Sequence, residues 1–353
     1  MQRELSEDIV RQIHGRLSPE RASTLARRQT SSPDAYDLFL RGLNFERQRT
    51  PPTTRQAVEY YEKATVLDPG SSLAWAALAG TLTGSALNSD VDPGTVRDRA
   101  REAARRAIET GPDTAEAHRV LAMGQWYFEW DRWPEAEAGY RRALSIDPRS
   151  ATTHLMLGHL LSQMGRHPEA RQATLRAREL EPLNPLVFAL SSQVAFQGRD
   201  YTEALRFAER AIALDGEFWI GYVMRGQALE QLGRNDAAIE ALTMAERFSG
   251  QNSKPMSLRA YILARTGRAN QAEAMLDALD TASRDRYVPP YAMALISLGL
   301  GRRDRALDWL ERALDVRDVH LIYLPVDPKW DALRSDPRFR GLLDRCGFAA
   351  GRT

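Results

Sequence analysis

Two stretches decide the fold: WPEAEAGYRRALSIDP at residues 133–148 and HPEARQATLRARELEP at residues 167–182. In each, two alanines stand seven apart, Ala136 and Ala143, then Ala170 and Ala177. Seven residues are two turns of an α-helix, so both methyl groups lie on one face. Side chains that small let a neighbouring helix approach closely. In the first copy Tyr140 lies between the alanines and fills the space beside the contact. Pro148 and Pro182 then end the helix, since proline cannot continue the ladder.

The two copies are 34 residues apart, and the same step carries the leading alanine on to Ala204, Ala238, Ala272 and Ala306. Ala57 and Ala100 are earlier members, with insertions between them. The second small residue recurs at Ala64, Ala107, Ala211, Ala245 and Ala313, with Leu279 as the exception. The larger residue recurs at Tyr61, Leu242, Leu276 and Leu310, and helix stops follow at Pro69, Pro112, Gly216 and Gly250. Upstream of each such helix the spacing predicts another, with a bulky residue, an apolar one and a small one, as in Trp75-Leu78-Ala79 and His154-Leu157-Gly158. Tyr222-Arg225-Gly226 keeps the outer two members. Gly165, Gly233, Gly267 and Gly301 mark the turns between paired helices.

This helix-turn-helix pattern resembles the tetratricopeptide repeat (TPR), a unit of 34 residues. The resemblance implies an all-α, right-handed TPR α-solenoid of about eight repeats with N- and C-terminal capping helices. Its array is expected over residues 35–317, with repeats beginning near Leu38, Ser72, Ala115, Ala151, Pro185, Trp219, Ser253 and Tyr287. Extra residues interrupt the period around Arg49 to Thr53, Gly84 to Gly94 and Trp130 to Trp133, and Pro290 stands where an aromatic is usual. No unit buries its apolar face alone, so the stack shares a core and needs caps. Residues 318–353 are expected to cap the last repeat through Trp330, Leu333, Phe339, Leu342 and Leu343. Residues 1–34 read as an N-terminal helical segment, with Ile9, Ile13 and Leu17 at helical spacing. Both ends also resemble bacterial signalling proteins that place a TPR array after a TolB-like domain.

Composition narrows the function. Lys+Arg number 48 against 47 Asp+Glu, a net charge of +1 that gives no basic surface for nucleic acid or an anionic membrane. A single cysteine, Cys346, rules out an internal disulfide and a cysteine zinc site. No apolar segment approaches the roughly 20 residues a membrane span requires, and MQRELSEDIVRQIH has charges where a signal peptide is apolar, so a cytoplasmic protein is expected. There is no GxxxxGK[ST], GxSxG or HExxH, and the six histidines lack metal-ligand spacing. The chain is read as non-enzymatic, without cofactor or metal.

The TPR resemblance implies that the first helix of each repeat lines a concave surface, with the second, fifth, ninth and twelfth residues facing it. The partner-binding groove is then expected at Arg119, Met123, Trp126, Leu155, His159, Gln193, Phe196, Val223, Gln227 and Tyr261. This set lacks the Lys and Asn pairing by which chaperone-binding TPRs clamp a carboxylate, and suits an apolar peptide or helix of a protein partner. Trp130 and Trp133 read as core between repeats, and Trp126 as equally core or groove. The expected function is a protein–protein interaction scaffold. The alternative is the regulatory or sensory arm of a signalling protein, such as an adenylate cyclase, kinase or winged-helix regulator, whose effector domain lies outside this chain.

Overall fold

The computed structural model describes residues 32–348. The helical segment expected before residue 32, including Ile9, Ile13 and Leu17 and the TolB-like resemblance there, lies outside the described residues. Seventeen α-helices and three short 3-10 segments make up the described chain. Eight consecutive pairs form the repeats: α1 (Pro33–Glu46) with α2 (Pro51–Leu67), α3 (Ser72–Asn88) with α4 (Pro93–Thr110), α5 (Ala115–Phe128) with α6 (Trp133–Ile146), and α7 (Ala151–Gln163) with α8 (His167–Leu180). They continue with α9 (Pro185–Gln197) and α10 (Tyr201–Leu214), α11 (Trp219–Gln231) and α12 (Asn235–Phe248), α13 (Ser253–Arg265) and α14 (Ala269–Ala282), and α15 (Pro290–Gly299) and α16 (Arg303–Asp315). A last helix, α17 (Pro337–Arg345), follows the 3-10 segments Val319–Tyr323 and Pro328–Leu333.

The alanine series explains the stacking. Ala57, Ala100, Ala136, Ala170, Ala204, Ala238, Ala272 and Ala306 are each at most 2% exposed. Facing them, the eighth residue of each first helix from α3 to α15 is small and buried, as at Ala79, Gly158, Gly226 and Ala260. A Cβ on Gly226 would stand 2.6 Å from Leu242, and one on Gly158 2.8 Å from Thr174. Side-chain caps start many first helices: Ser71 accepts from Ala74 N, Ser150 from Thr153 N and Asn184 from Leu186 N. Left-handed glycines turn the chain into the second helix at Gly165, Gly233, Gly267 and Gly301. In the fifth repeat Arg199 takes the same backbone conformation, at φ 65°.

The three interruptions of the period have structural roles. The extra residues of the second repeat lengthen α3 to 17 residues and place Asp90 against the start of the seventh repeat. There its carboxylate accepts from Ser253 N (2.8 Å), Ser253 Oγ (2.7 Å) and Arg286 Nη1 (2.6 Å). Nearby Asn252 Nδ2 donates to Asn88 O at 2.7 Å. In the first repeat the Arg49 carbonyl accepts from Trp219 Nε1 at 3.1 Å. The solenoid therefore completes a turn, and its first two repeats meet the sixth and seventh. In the third repeat the extra residues form the 3-10 segment Trp130–Arg132.

Candidate functional site

The first helices of the repeats enclose a lumen, and the chain's own C-terminal segment fills its deep part. Residues 318–348 do touch the last repeat: Trp330 Nε1 donates to Tyr291 Oη at 2.8 Å, and Arg338 pairs with Asp308 at 2.7 Å. The expected cap is thus only part of their role, because the same segment crosses to five other repeats. His320 Nε2 lies 3.1 Å from the Leu87 carbonyl, in the second repeat. Phe348 packs on Trp133 with ring centres 4.6 Å apart, in the third. Tyr323 lies 6.1 Å from the His159 ring, in the fourth. Asp331 pairs with Arg199 at 2.9 Å, just beyond the first helix of the fifth. Lys329 Nζ donates to Gln227 Oε1 at 2.8 Å, in the sixth. The Lys329 ammonium is itself buried, so it needs these partners: Asp327 lies 2.7 Å away and the Phe196 ring centre 4.9 Å away. Apolar burial holds the segment as well, with Val319, Leu321, Ile322, Leu324 and Trp330 all fully buried.

This arrangement corrects the expectation of an open groove. Nine of the ten expected groove residues are buried, and Arg119 is half-buried. Trp126 is core: its Nε1 donates to Gln163 Oε1 at 2.8 Å, and its ring packs edge-on against Tyr127, Tyr140 and His159. Phe196 lies under Lys329 and against Tyr201. Tyr261 packs between α13 and α15, where Gly299 admits it; a Cβ there would stand 2.9 Å from the Tyr261 backbone. Leu155 is buried and lines neither lumen cavity. Trp130 and Trp133 are buried as expected, but against Phe348 from the C-terminal segment.

What remains open is a cavity of about 350 Å³. Arg119, Met123, His159, Gln193 and Val223 line it, and Gln193 and Gln227 line a smaller one of about 50 Å³. Depth follows the repeat register. The second residues of five successive first helices, Leu73, Glu116, Thr152, Leu186 and Ile220, all reach the larger cavity, and all but Ile220 keep some exposure. At the ninth place Met123, His159 and Gln193 are buried. None of the twelfth residues of these helices lines it, whereas the thirteenth residues Gly84 and Tyr127 do, and Tyr323 of the C-terminal segment completes the wall. Tyr323 and Lys254 border both cavities.

His159 is 1% exposed, and neither ring nitrogen has a hydrogen-bond partner in the protein. Burial, aided by the nearby Lys254 ammonium, lowers its pKa to about 3, so the ring is neutral at physiological pH. Burial also lowers Lys254, to about 8. Its ammonium lies 3.3 Å from Asn88 Oδ1. Sequence reasoning named His159 but missed Lys254, Tyr323 and Asn88. Lys254 follows the helix-start position by one residue, as Leu73 and Leu186 do, so the register could have identified it. No group of three or more His, Cys, Asp or Glu side chains among the described residues could hold a metal ion. No described helix is long and apolar enough to cross a membrane.

The repeat assignment agrees with known proteins. Two tetratricopeptide repeat family models match residues 128–194 and 190–253. The type IV pilus assembly protein PilF of Pseudomonas aeruginosa is 31% identical over 121 residues, which span 33% of this chain and 47% of that protein. Anaphase-promoting complex subunit 3 of Schizosaccharomyces pombe is 22% identical over 167 residues, spanning 47% of this chain and 25% of that protein. The chain therefore spans about half and a quarter of the lengths of these relatives. Among solved structures, the APC/C hetero-tetramer Cut9–Hcn1 aligns at a TM-score of 0.61 with 13% identity, over 93% of this chain and 58% of that one. Yeast Tom70 aligns at 0.53 with 17% identity, over 89% and 68%. These likenesses and the eight stacked helix pairs agree: this chain carries tetratricopeptide repeats and folds as a TPR α-solenoid.

Proposed function

We propose that the chain is a non-enzymatic scaffold that receives a protein partner at the open side of its concave lumen. One observation carries this reading: five successive repeats present the second residue of their first helix to one shared cavity. Leu73, Thr152 and Leu186 are half-buried there and Glu116 is exposed, so an entering apolar side chain would find apolar surface and a polar rim. The TPR fold supports the coarser part of the reading, since such repeats generally serve protein–protein interaction. The filled deep lumen narrows it. A partner segment does not run the length of the groove but docks across its mouth.

The test is affinity capture from host extract with three forms of the chain. A partner of this kind is recovered by the wild type and lost with the double substitution Leu73→Glu, Leu186→Glu. It is retained with Leu183→Glu, at a side chain that is 73% exposed and lines neither cavity. Capture that survives the double substitution and fails with Leu183→Glu would place the interface elsewhere.

A further inference from the structure

We propose that the lumen, beyond any role in protein docking, is a binding site for a small organic carboxylate with an apolar body, its acid group seated at His159 and Lys254.

Enclosure sets the size of the ligand. The contacts of Asp90 with Ser253 and Arg286, and of Arg49 with Trp219, join the first repeats to the sixth and seventh. The C-terminal segment closes the deep side. An extended peptide therefore cannot pass through, and the remaining volume of about 350 Å³ is on the scale of small-ligand pockets, which begin near ~300 Å³.

The wall sets the body of the ligand. Met123, Met156, Ile220, Val223 and Met224 line the cavity, and methionines adapt to irregular apolar shapes.

Two polar side chains set its head. A buried polar group without a partner is costly, so an imidazole lining a cavity calls for something there to bond it. Neutral His159 offers one N–H donor and one acceptor nitrogen, and both are unpartnered in the protein. Lys254 shares the same cavity, and of the three protons on its ammonium the structure commits one, to Asn88. A carboxylate accepting from the His159 N–H and from the Lys254 ammonium gives each side chain a partner, and the remaining imidazole nitrogen is left to accept from water.

Charge sets the sign. Four cationic side chains line the cavity, Arg47, Arg49, Arg119 and Lys254, against two carboxylates, Glu46 and Glu116. Glu46 is already held by the Tyr61 hydroxyl at 2.7 Å. The surplus attracts an anion and repels a cation.

Isothermal titration of the full chain with decanoate tests this, with decyltrimethylammonium as the cation of matched tail. Decanoate is expected to bind one per chain. Lys254→Met and His159→Leu are each expected to weaken it at least tenfold, while His159→Gln, which keeps a hydrogen-bonding group, stays within a few-fold of wild type. The cation is expected not to bind. Circular dichroism checks that each variant is folded, and should His159→Leu fail, Lys254→Met and His159→Gln still decide. No decanoate binding at millimolar concentration would show a cavity that holds water only, and equal binding of the cation, or unchanged affinity in the folded variants, would show binding that does not use His159 and Lys254. Any of these results overturns this inference alone, because the docking of a protein partner is read separately by capture.

Discussion

Repeats four to six and repeats one to three are built from the same unit and do different work. From Ala151 to Ser253 the helix starts recur every 34 residues, and each pair packs on its neighbours through small residues. Repeats one to three each break the period, and every break makes a distant contact. Arg49 meets Trp219, Asp90 meets Ser253 and Arg286, and the segment after Trp130 meets Phe348. The regular repeats specify a stack that could in principle extend indefinitely. The irregular ones specify where that stack closes, and so turn a solenoid into a chamber.

The sharpest way to break this comparison is to unseat the C-terminal segment. Trp330 is fully buried, stacks on Phe339 and meets Tyr291 edge-on. Trp330→Ala is expected to cost about 3–5 kcal/mol, the usual range for a large aromatic removed from a core, read by chemical denaturation. A loss below 1 kcal/mol would mean that the segment is only loosely laid over the lumen.

Asp90 and Asp236 contrast a closure contact with a contact between adjacent repeats. Asp90 takes three hydrogen bonds across the ring, whereas the Asp236 side chain, 91% exposed, pairs only with Arg268. Asp90→Ala is expected to destabilise by about 2–3 kcal/mol, since it strands buried donors. Asp236→Ala is expected to change stability by less than ~1 kcal/mol, as for other exposed pairs. Equal effects in thermal melts would erase the distinction between closing and stacking.

A smaller effect is expected from acid. His159 has a folded pKa of about 3, against an unfolded value of about 6.5. Below pH 6.5 the unfolded chain binds a proton that the folded chain does not, so stability falls with acidification at up to about 1.4 kcal/mol per pH unit. That loss continues until the folded ring titrates. Between pH 7 and 5, His159→Gln is expected to flatten the stability profile relative to wild type. An unchanged slope would mean that the imidazole is wet.

The sequence states the stack far more clearly than the chamber. Helix starts at Ser72, Ala115, Ala151, Pro185, Trp219 and Ser253 fall where the alanine period places them. Small-residue spacing is a local signal repeated eight times, so each copy checks the others. The first and last repeats drift, starting at Pro33 and Pro290 instead of Leu38 and Tyr287, because a proline suits the first turn of each helix. The occupant of the lumen has no such redundancy. His320 and Leu87 are 233 residues apart and meet once, with no second copy to reveal the pairing. One local hint existed: the run VHLIYLPV at residues 319–326 is too apolar for a surface cap of the last repeat. Of the residues named by the groove register, His159, Gln193 and Val223 line the lumen cavity, whereas packing between repeats claims the side chains of Trp126 and Tyr261.

Amide hydrogen exchange across residues 319–333 tests the central claim most directly. If this segment is a fixed wall of the lumen, amides such as those of Leu321 and Leu324, bonded to Asp318 and Leu321 carbonyls, exchange as slowly as those of α7 and α9. Exchange at the rate of an exposed loop, with α7 and α9 still protected, would contradict it and return the concave face to open solvent.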